Sequence, residues 1–309
     1  MVDYNPTTDA LELGDDDALQ VGDYEIEYDS TESTFAVNHP NGERSEVPQN
    51  RSGSLVPQGL AESVEHGKAL ADDGEMYDSV QTAVNNARGW VFVGPGRFAE
   101  SVTIDTNGLM LEGCGRDTLI DGETIGDAIT VSSANNTIQN LSVQTSDGTS
   151  NDGINTSAGA DSLTIDSITI VKADRHCVSV TDGSNHIIKN CNGLISSSFS
   201  FFSVAPKTII SNVICKSSES IGIRISSDDS IISSCVVSDT SGDGILADGG
   251  ADDSIIAGNR VINSEDNGID VAASDQIVAN NRISDSTNSD INDRGTGTVL
   301  DDNLTGPSN

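Results

Sequence analysis

Asp243-Gly244-Ile245-Leu246-Ala247 is followed by Ile255-Ile256-Ala257-Gly258, and 24 residues after Asp243 the first motif returns as Asn267-Gly268-Ile269-Asp270-Val271, with Ile277-Val278-Ala279-Asn280 behind it. Both motifs extend outward from this stretch. An apolar pair split by one residue stands at Ile129/Val131, Val178/Val180, Phe202/Val204, Ile223/Ile225 and Ile269/Val271, with Ile154, Ile245 and Ile291 in equivalent places. Successive first members lie 25, 24, 24, 21, 22, 24 and 22 residues apart. A second column follows at Thr137-Ile138-Gln139-Asn140, Ile187-Ile188-Lys189-Asn190, Ile209-Ile210-Ser211-Asn212 and Ile231-Ile232-Ser233-Ser234. Two columns with one common period define a repeat architecture.

Alternation within each run reads as strand, with every second side chain inward. A period of 21–25 residues holds two or three short strands and their turns, which is one coil of a parallel β-helix. A leucine-rich repeat of similar period needs several Leu per repeat and a helical convex side. Here Leu is sparse and β-branched residues dominate. Coils stack at about 4.8 Å, so roughly nine of them make a rod about 40 Å long, starting near Trp90. Asn140, Asn190, Asn212 and Asn280 fall two residues after the second column's inward residue, where Asn tolerates left-handed backbone and can bond from coil to coil. Asp152-Gly153-Ile154, Asp243-Gly244-Ile245 and Asn267-Gly268-Ile269 read as turns entering a strand.

Composition agrees. Aromatics make up 4 % of the 309 residues, too few for a broad globular core but enough for a narrow column of Ile, Val and Leu. Forty-nine acidic residues against 15 basic give a net charge of −34. Such a surface repels itself in ordinary buffer, and molar salt, with a screening length of about 3 Å, relieves it. This points to a halophile. No Lys/Arg stripe suits nucleic acid. No apolar run approaches a membrane span, so no membrane insertion is expected, and the N-terminus reads as free of a secretion signal. The odd five cysteines match no metal-ligand spacing and are expected as small packing residues.

Ahead of the coils, Met76, Val80, Val84 and Ala87 share one helical face, which predicts a capping helix over about 78–88 with Gly89 at its stop. Trp90-Val91-Phe92-Val93 follows, then "GPGRFAESVTI" from Gly94, "LMLEGCG" from Leu109 and "TLIDG" from Thr118. This order of helix, strand and motifs, with coils containing "DGI" and "IIxN" behind it, resembles the opening of pectin-lyase-like β-helix proteins over residues 75–309. The resemblance implies a right-handed helix with three sides. It does not fix an activity, because that superfamily includes lyases, hydrolases, esterases, surface repeat proteins and virus tailspikes.

Residues 1–75 carry 18 acidic and 3 basic residues. Tyr24, Ile26 and Tyr28 alternate before a turn at Asp29–Ser33, and Phe35-Ala36-Val37 reads as the return strand. A small β-rich attachment or oligomerisation element is expected over 1–40. A connector is expected over 41–75, with a short helix near Leu60–Leu70, and the β-helix over 76–309. The rhythm of "LELGDDDALQVGDYEIEYDSTESTFAV" is similar to attachment segments of virion fibre and tail proteins of haloarchaeal tailed viruses.

Aligning the coils gives one candidate constellation. Asp127, Asp152 and His176 each lie two residues before a first-column residue and are expected to stack on adjacent coils, with Asp174 and Arg175 close by. Such carboxylates could act as acid and base or hold a cation such as calcium. They read first as a row of turn residues of a halophile. The pectin-lyase-like hydrolases' Gly-His-Gly and Arg-x-Lys motifs are missing, and no cofactor or metal site is singled out. In Phe199-Ser200-Phe201-Phe202, Phe202 is expected in the core and Phe201 outward, where it could meet a sugar, a subunit interface or a covering loop.

Together these readings suggest a non-enzymatic virion protein of a halophilic archaeal virus: a tail spike, fibre or capsid turret. It would be assembled in a salt-loaded cytoplasm and displayed on the virion surface. Its expected partners are two further copies in a homotrimer, other virion proteins through residues 1–75, and a host surface glycan or glycoprotein. The alternative is a polysaccharide lyase or glycoside hydrolase working on a lateral face.

Overall fold

A computed structural model describes residues 64–306 with their side chains, except 124–125 and 147–149. Of residues 1–63 it describes the backbone of the strands named below. Alternation at a 21–25-residue period closes the chain into an all-β parallel solenoid of about nine coils. Three sheets form its sides. Face A has nine strands, from Val102–Ile104 through Ile154–Thr156, Phe201–Ser203 and Ile245–Ala247 to Ile291–Asp293. Face B carries the second column, including Ile187–Lys189, Ile209–Ser211, Ile231–Ser233, Ile255–Ala257 and Ile277–Ala279. Face C has ten strands, from Gly96–Ala99 to Leu304–Thr305. Within a coil the chain runs from face B to C to A. Equivalent residues pair in register from coil to coil, as in Ile223↔Ile245↔Ile269↔Ile291.

The interior is the expected narrow column. Leu111, Ile138, Ile165, Ile188, Ile210, Ile232 and Ile256 from face B meet Ile129, Ile154, Ile223 and Ile245 from face A, all fully buried. The turn from face B to face C is left-handed at Asn140, Asn190, Asn212 and Asn280 (φ between 52° and 57°). Asn212 Nδ2 donates to Asn190 Oδ1 at 2.7 Å, and Asn190 Nδ2 donates to Asp166 Oδ1 at 2.8 Å. The glycines before face A allow coils to approach: a Cβ on Gly244 would lie 2.3 Å from Val261 Cγ1 and 2.6 Å from the Gly268 carbonyl oxygen. Cys177, Cys191, Cys215 and Cys235 are buried free thiols, and burial pushes Cys177 and Cys191 up to about 12.

One pair of the first column is shifted by a residue. Phe201, not Phe202, is registered with Val178 and Ile223. Phe201 is fully buried and Phe202 faces outward, while Val204 is 36 % exposed. The expectation of an outward Phe201 is therefore corrected. The cause is Gly193 on face C, whose missing side chain leaves room for a ring: a Cβ there would meet Phe201 Cε2 at 3.3 Å.

The capping helix spans Val80–Asn86, shorter than expected, and buries Val80, Ala83 and Val84 over the first coil. Ser79 is its N-cap, and the Glu100 carboxylate accepts the N–H groups of Val80 and Gln81 at 2.8 and 3.0 Å. These are donors a helix cannot satisfy internally. Met76 lies before the helix, in a short strand antiparallel to Ala69–Ala71, which extends face B. That strand occupies the end of the segment expected as a helix near Leu60–Leu70, and residues 60–63 lie outside the described residues.

Near the N-terminus, Asp3–Asn5 pairs with Ala10–Glu12, and Ala18–Val21, Tyr24–Asp29, Thr34–Asn38 and Arg44–Val47 form an antiparallel meander. The expected hairpin is there, with Tyr28 opposite Phe35 and Ile26 opposite Val37. A further strand, Arg44–Val47, continues past residue 40. Among the described residues no helix is long and apolar enough to cross a membrane.

Candidate ligand-binding site on face A

The position two residues before the second to the eighth strand of face A forms a column along one edge of that face: Asp127, Asp152, His176, Phe199, Ile221, Asp243 and Asn267. Four of its polar members accept the backbone N–H of the next rung. Asp127 Oδ1 takes the N–H of Asp152 at 2.7 Å, Asp152 Oδ1 that of His176 at 3.0 Å, and His176 Nδ1 that of Phe199 at 3.1 Å. Asp243 Oδ1 does the same for Asn267 at 3.0 Å. Asp127, Asp152 and His176 therefore do stack on adjacent coils, as a ladder that closes the wall.

The ladder engages the carboxylates. Asp152 is fully buried; its Oδ1 also accepts Arg175 Nε at 2.7 Å, and its Oδ2 accepts Arg175 Nη2. Asp127 Oδ2 accepts Asn155 Nδ2 at 3.0 Å. Asp174 turns away, accepting the N–H of Ser150 while its own N–H donates to Thr145 Oγ1. Burial, then the Arg175 charge, lowers the His176 imidazole to about 4. With Nδ1 held as an acceptor, the neutral ring carries its hydrogen on Nε2. Among the described residues no group of three or more His, Cys, Asp or Glu side chains comes together as a metal site.

What this edge leaves available is an aromatic platform. The Phe199 ring stacks on His176 (centroids 4.9 Å apart, planes at 9°), and Phe202 packs 5.3 Å from His176 and 5.4 Å from Phe199. Arg224, one coil beyond Phe202 in the outward row of face A, places its guanidinium carbon 5.2 Å from the Phe199 centroid and 5.5 Å from that of Phe202. This is cation–π geometry. Asp248 fixes the guanidinium, with Oδ2 accepting Nε at 3.0 Å, Nη2 at 2.6 Å and Ser226 Oγ at 2.7 Å. Burial acts to raise the Asp248 carboxyl, but the bonds from Ser226 and Arg224 outweigh it and hold it below the usual range.

Two polar atoms in the outward row next to Phe202 are left over. Ser179 is 1 % exposed and its Oγ has no hydrogen-bond partner, and the same is true of the buried Oδ1 of Asn155 one coil earlier. A buried polar atom without a partner costs about 1–3 kcal/mol. An aromatic surface and a fixed guanidinium on one face suit a ligand with apolar faces and hydroxyl groups.

Of the expected residues, Asp127, Asp152, Arg175 and His176 come together, Asp174 lies aside and Phe201 is in the core. Phe199, Phe202, Arg224 and Asp248 were not expected as a site. The signal for them was periodic: with the first column placed on Phe201, Phe202 and Arg224 stand 22 residues apart in one outward row.

A family model for the right-handed β-helix region matches residues 195–308. No curated protein matches the chain in sequence. The A-module of the mannuronan C-5 epimerase AlgE6 of Azotobacter vinelandii is similar in structure (TM-score 0.62, 16 % identity, 72 % of this chain and 71 % of that one). So is the enzymatically active domain of bacteriophage CBA120 tailspike protein 2 (TM-score 0.55, 12 % identity, 91 % of this chain and 47 % of that one). ORF18 of Geobacillus virus E2 matches with a TM-score of 0.50, 12 % identity and coverage of 93 % and 68 %. The fold is thus that of a right-handed parallel β-helix. At these identities the likeness is one of fold.

Proposed function

We propose that this chain is a glycan-binding β-helix of a virion spike, fibre or capsid turret, made by a virus of a halophilic archaeon and displayed on the virion surface. The glycan lies along face A, against Phe199, Phe202 and Arg224. The observation that carries this reading is the aromatic pair under a guanidinium fixed by Asp248. Sugar rings offer C–H faces to aromatic rings and hydroxyls to Arg. The net charge of −34 supports a halophilic origin, and the fold shared with phage tailspikes supports a place on a virion. A homotrimer, with residues 1–75 joining other virion proteins, completes the proposal.

Calorimetry at high salt with oligosaccharides from host exopolysaccharide tests the binding. Saturable binding is expected, weakened about tenfold or more by Phe202→Ala. No binding, or equal binding by the variant, would overturn it. Immunogold labelling should decorate intact virions; label confined to cells would rule out the virion assignment.

The second reading is a polysaccharide lyase or glycoside hydrolase, favoured by the juxtaposition of Asp127, Asp152, Arg175 and His176 on adjacent coils. It ranks second because both oxygens of each aspartate already hold structural bonds. New reducing ends or unsaturated uronates in the same incubations would reverse the ranking.

A further inference from the structure

Face B presents two outward residues per coil. In four successive coils these are Ile209 and Ser211, Ile231 and Ser233, Ile255 and Ala257, and Ile277 and Ala279. None of the eight is charged, in a chain with 64 Asp, Glu, Lys and Arg residues (49 + 15). In the same stretch the outward row of face A runs Arg224, Leu246 and the buried Asp270, and face C displays Lys216, Arg260 and Arg282 beside Ile214. The isoleucines are paired rung on rung, Ile209↔Ile231↔Ile255↔Ile277, and the row runs on to Val299. Ile277 is 43 % and Val299 53 % exposed. Earlier on face B the same row is mixed, with Trp90, Met110, Thr137, Thr164 and Ile187, and the Lys189–Asp166 ion pair lies beside it.

We propose that the C-terminal half of face B packs against the same face of another copy of this chain. Two features select a second copy over an unrelated partner. First, copies of net charge −34 repel each other, and the strands of this face bring no carboxylate into the contact over these four coils, although Asp229, Asp253 and Asp275 border it in the preceding turns. Second, the row repeats at the strand spacing of about 4.8 Å, and only a surface of the same pitch meets it rung for rung. A rod with one such side buries it between copies and leaves face A, with Phe202 and Arg224, turned outward. High salt favours this association, because it screens the remaining charge without weakening apolar contact.

Light scattering on the full chain at high salt tests this. The wild type is expected to associate, as a trimer or a dimer; Ile231→Glu should give monomers with an unchanged circular dichroism spectrum. Ile214→Glu on face C, also at an exposed apolar position, should leave the assembly intact. A monomeric wild type, or association unaffected by Ile231→Glu, would overturn the proposal. A monomer whose face B resists hydrogen exchange would put another part of the same chain over the row, and would equally overturn it. Should Ile231→Glu not fold, Ser233→Cys gives the reading: cross-linked copies on oxidation support the interface and their absence contradicts it. Glycan binding by a monomer would leave the glycan-binding proposal standing and remove only its homotrimer.

Discussion

Phe201 and Gly193 share one space in the core. A Cβ at Gly193 would lie 3.3 Å from Phe201 Cε2 and 3.1 Å from Cys177 Sγ, so the ring occupies volume that an aliphatic residue fills in other coils. Gly193→Val should cost about 1–3 kcal/mol through overpacking, and Phe201→Val a comparable amount through the cavity it leaves. The double variant should cost clearly less than the sum, since each change relieves the other. Thermal unfolding followed by circular dichroism at high salt measures all three, and strictly additive costs would refute the shared volume.

The same pair explains where the sequence could and could not be read. Ile, Val and Leu recur at every inward position of most coils, so period, strand direction and coil number follow from spacing alone. At Phe199–Val204 two aromatic residues competed for one place, and hydrophobicity favoured the wrong one. Placing the column on Phe201 changes the spacings around it from 24 and 21 to 23 and 22, a more even series, but the decisive signal, Gly193, lies on another face. The candidate site was legible only in part for a related reason. Asp127, Asp152 and His176 were aligned by the period, but whether an aspartate accepts a neighbour's N–H or faces solvent depends on the turn's path. The platform itself depends on the corrected register of Phe202 and Arg224.

A second asparagine ladder went unread because it is internal and begins late. Asn281 Oδ1 accepts the N–H and Nδ2 of Asn259 at 2.9 and 3.0 Å, and its Nδ2 donates to the carbonyl of Ile256 at 2.9 Å. In earlier coils the equivalent places hold Cys235, Val213 and Cys191, so composition gives no warning. Asn281→Leu leaves a buried N–H and a buried carbonyl without these partners and should cost about 2–4 kcal/mol. Asn190→Gly, at an exposed left-handed turn where glycine is unstrained, should cost less than about 1 kcal/mol. Equal losses in denaturant unfolding would contradict the assignment.

His176 should make stability depend on pH in a defined window. In the fold its pKa is lowered to about 4, by burial first and then by Arg175, whereas the unfolded side chain titrates near 6.5, as a free imidazole does. The unfolded state therefore binds more protons between these values, and the contribution present above pH 6.5 is lost as pH falls towards 4. Protonation would also break the bond from the Phe199 N–H. His186, whose pKa burial likewise lowers, adds an effect of the same sign. His176→Gln should flatten the fall between pH 6.5 and 4.5 by on the order of 1–3 kcal/mol. Parallel wild-type and variant curves would show that this imidazole is not the cause.

Arg224 separates recognition from folding. Its guanidinium lies against two rings and forks onto one oxygen of Asp248, a geometry that a lysine ammonium cannot copy. Arg224→Lys keeps the charge and much of the aliphatic stem over Phe202. Its side chain is about one-third exposed, so stability should fall by less than about 1 kcal/mol. If the guanidinium's face and fork hold the glycan, affinity should drop about tenfold while the unfolding midpoint barely moves. Adding Phe202→Ala should then cost little more, because the platform the arginine completes is already lost. Unchanged affinity in Arg224→Lys would make this residue a clamp for Asp248 and the rings, and would shift the search for the ligand towards Arg175.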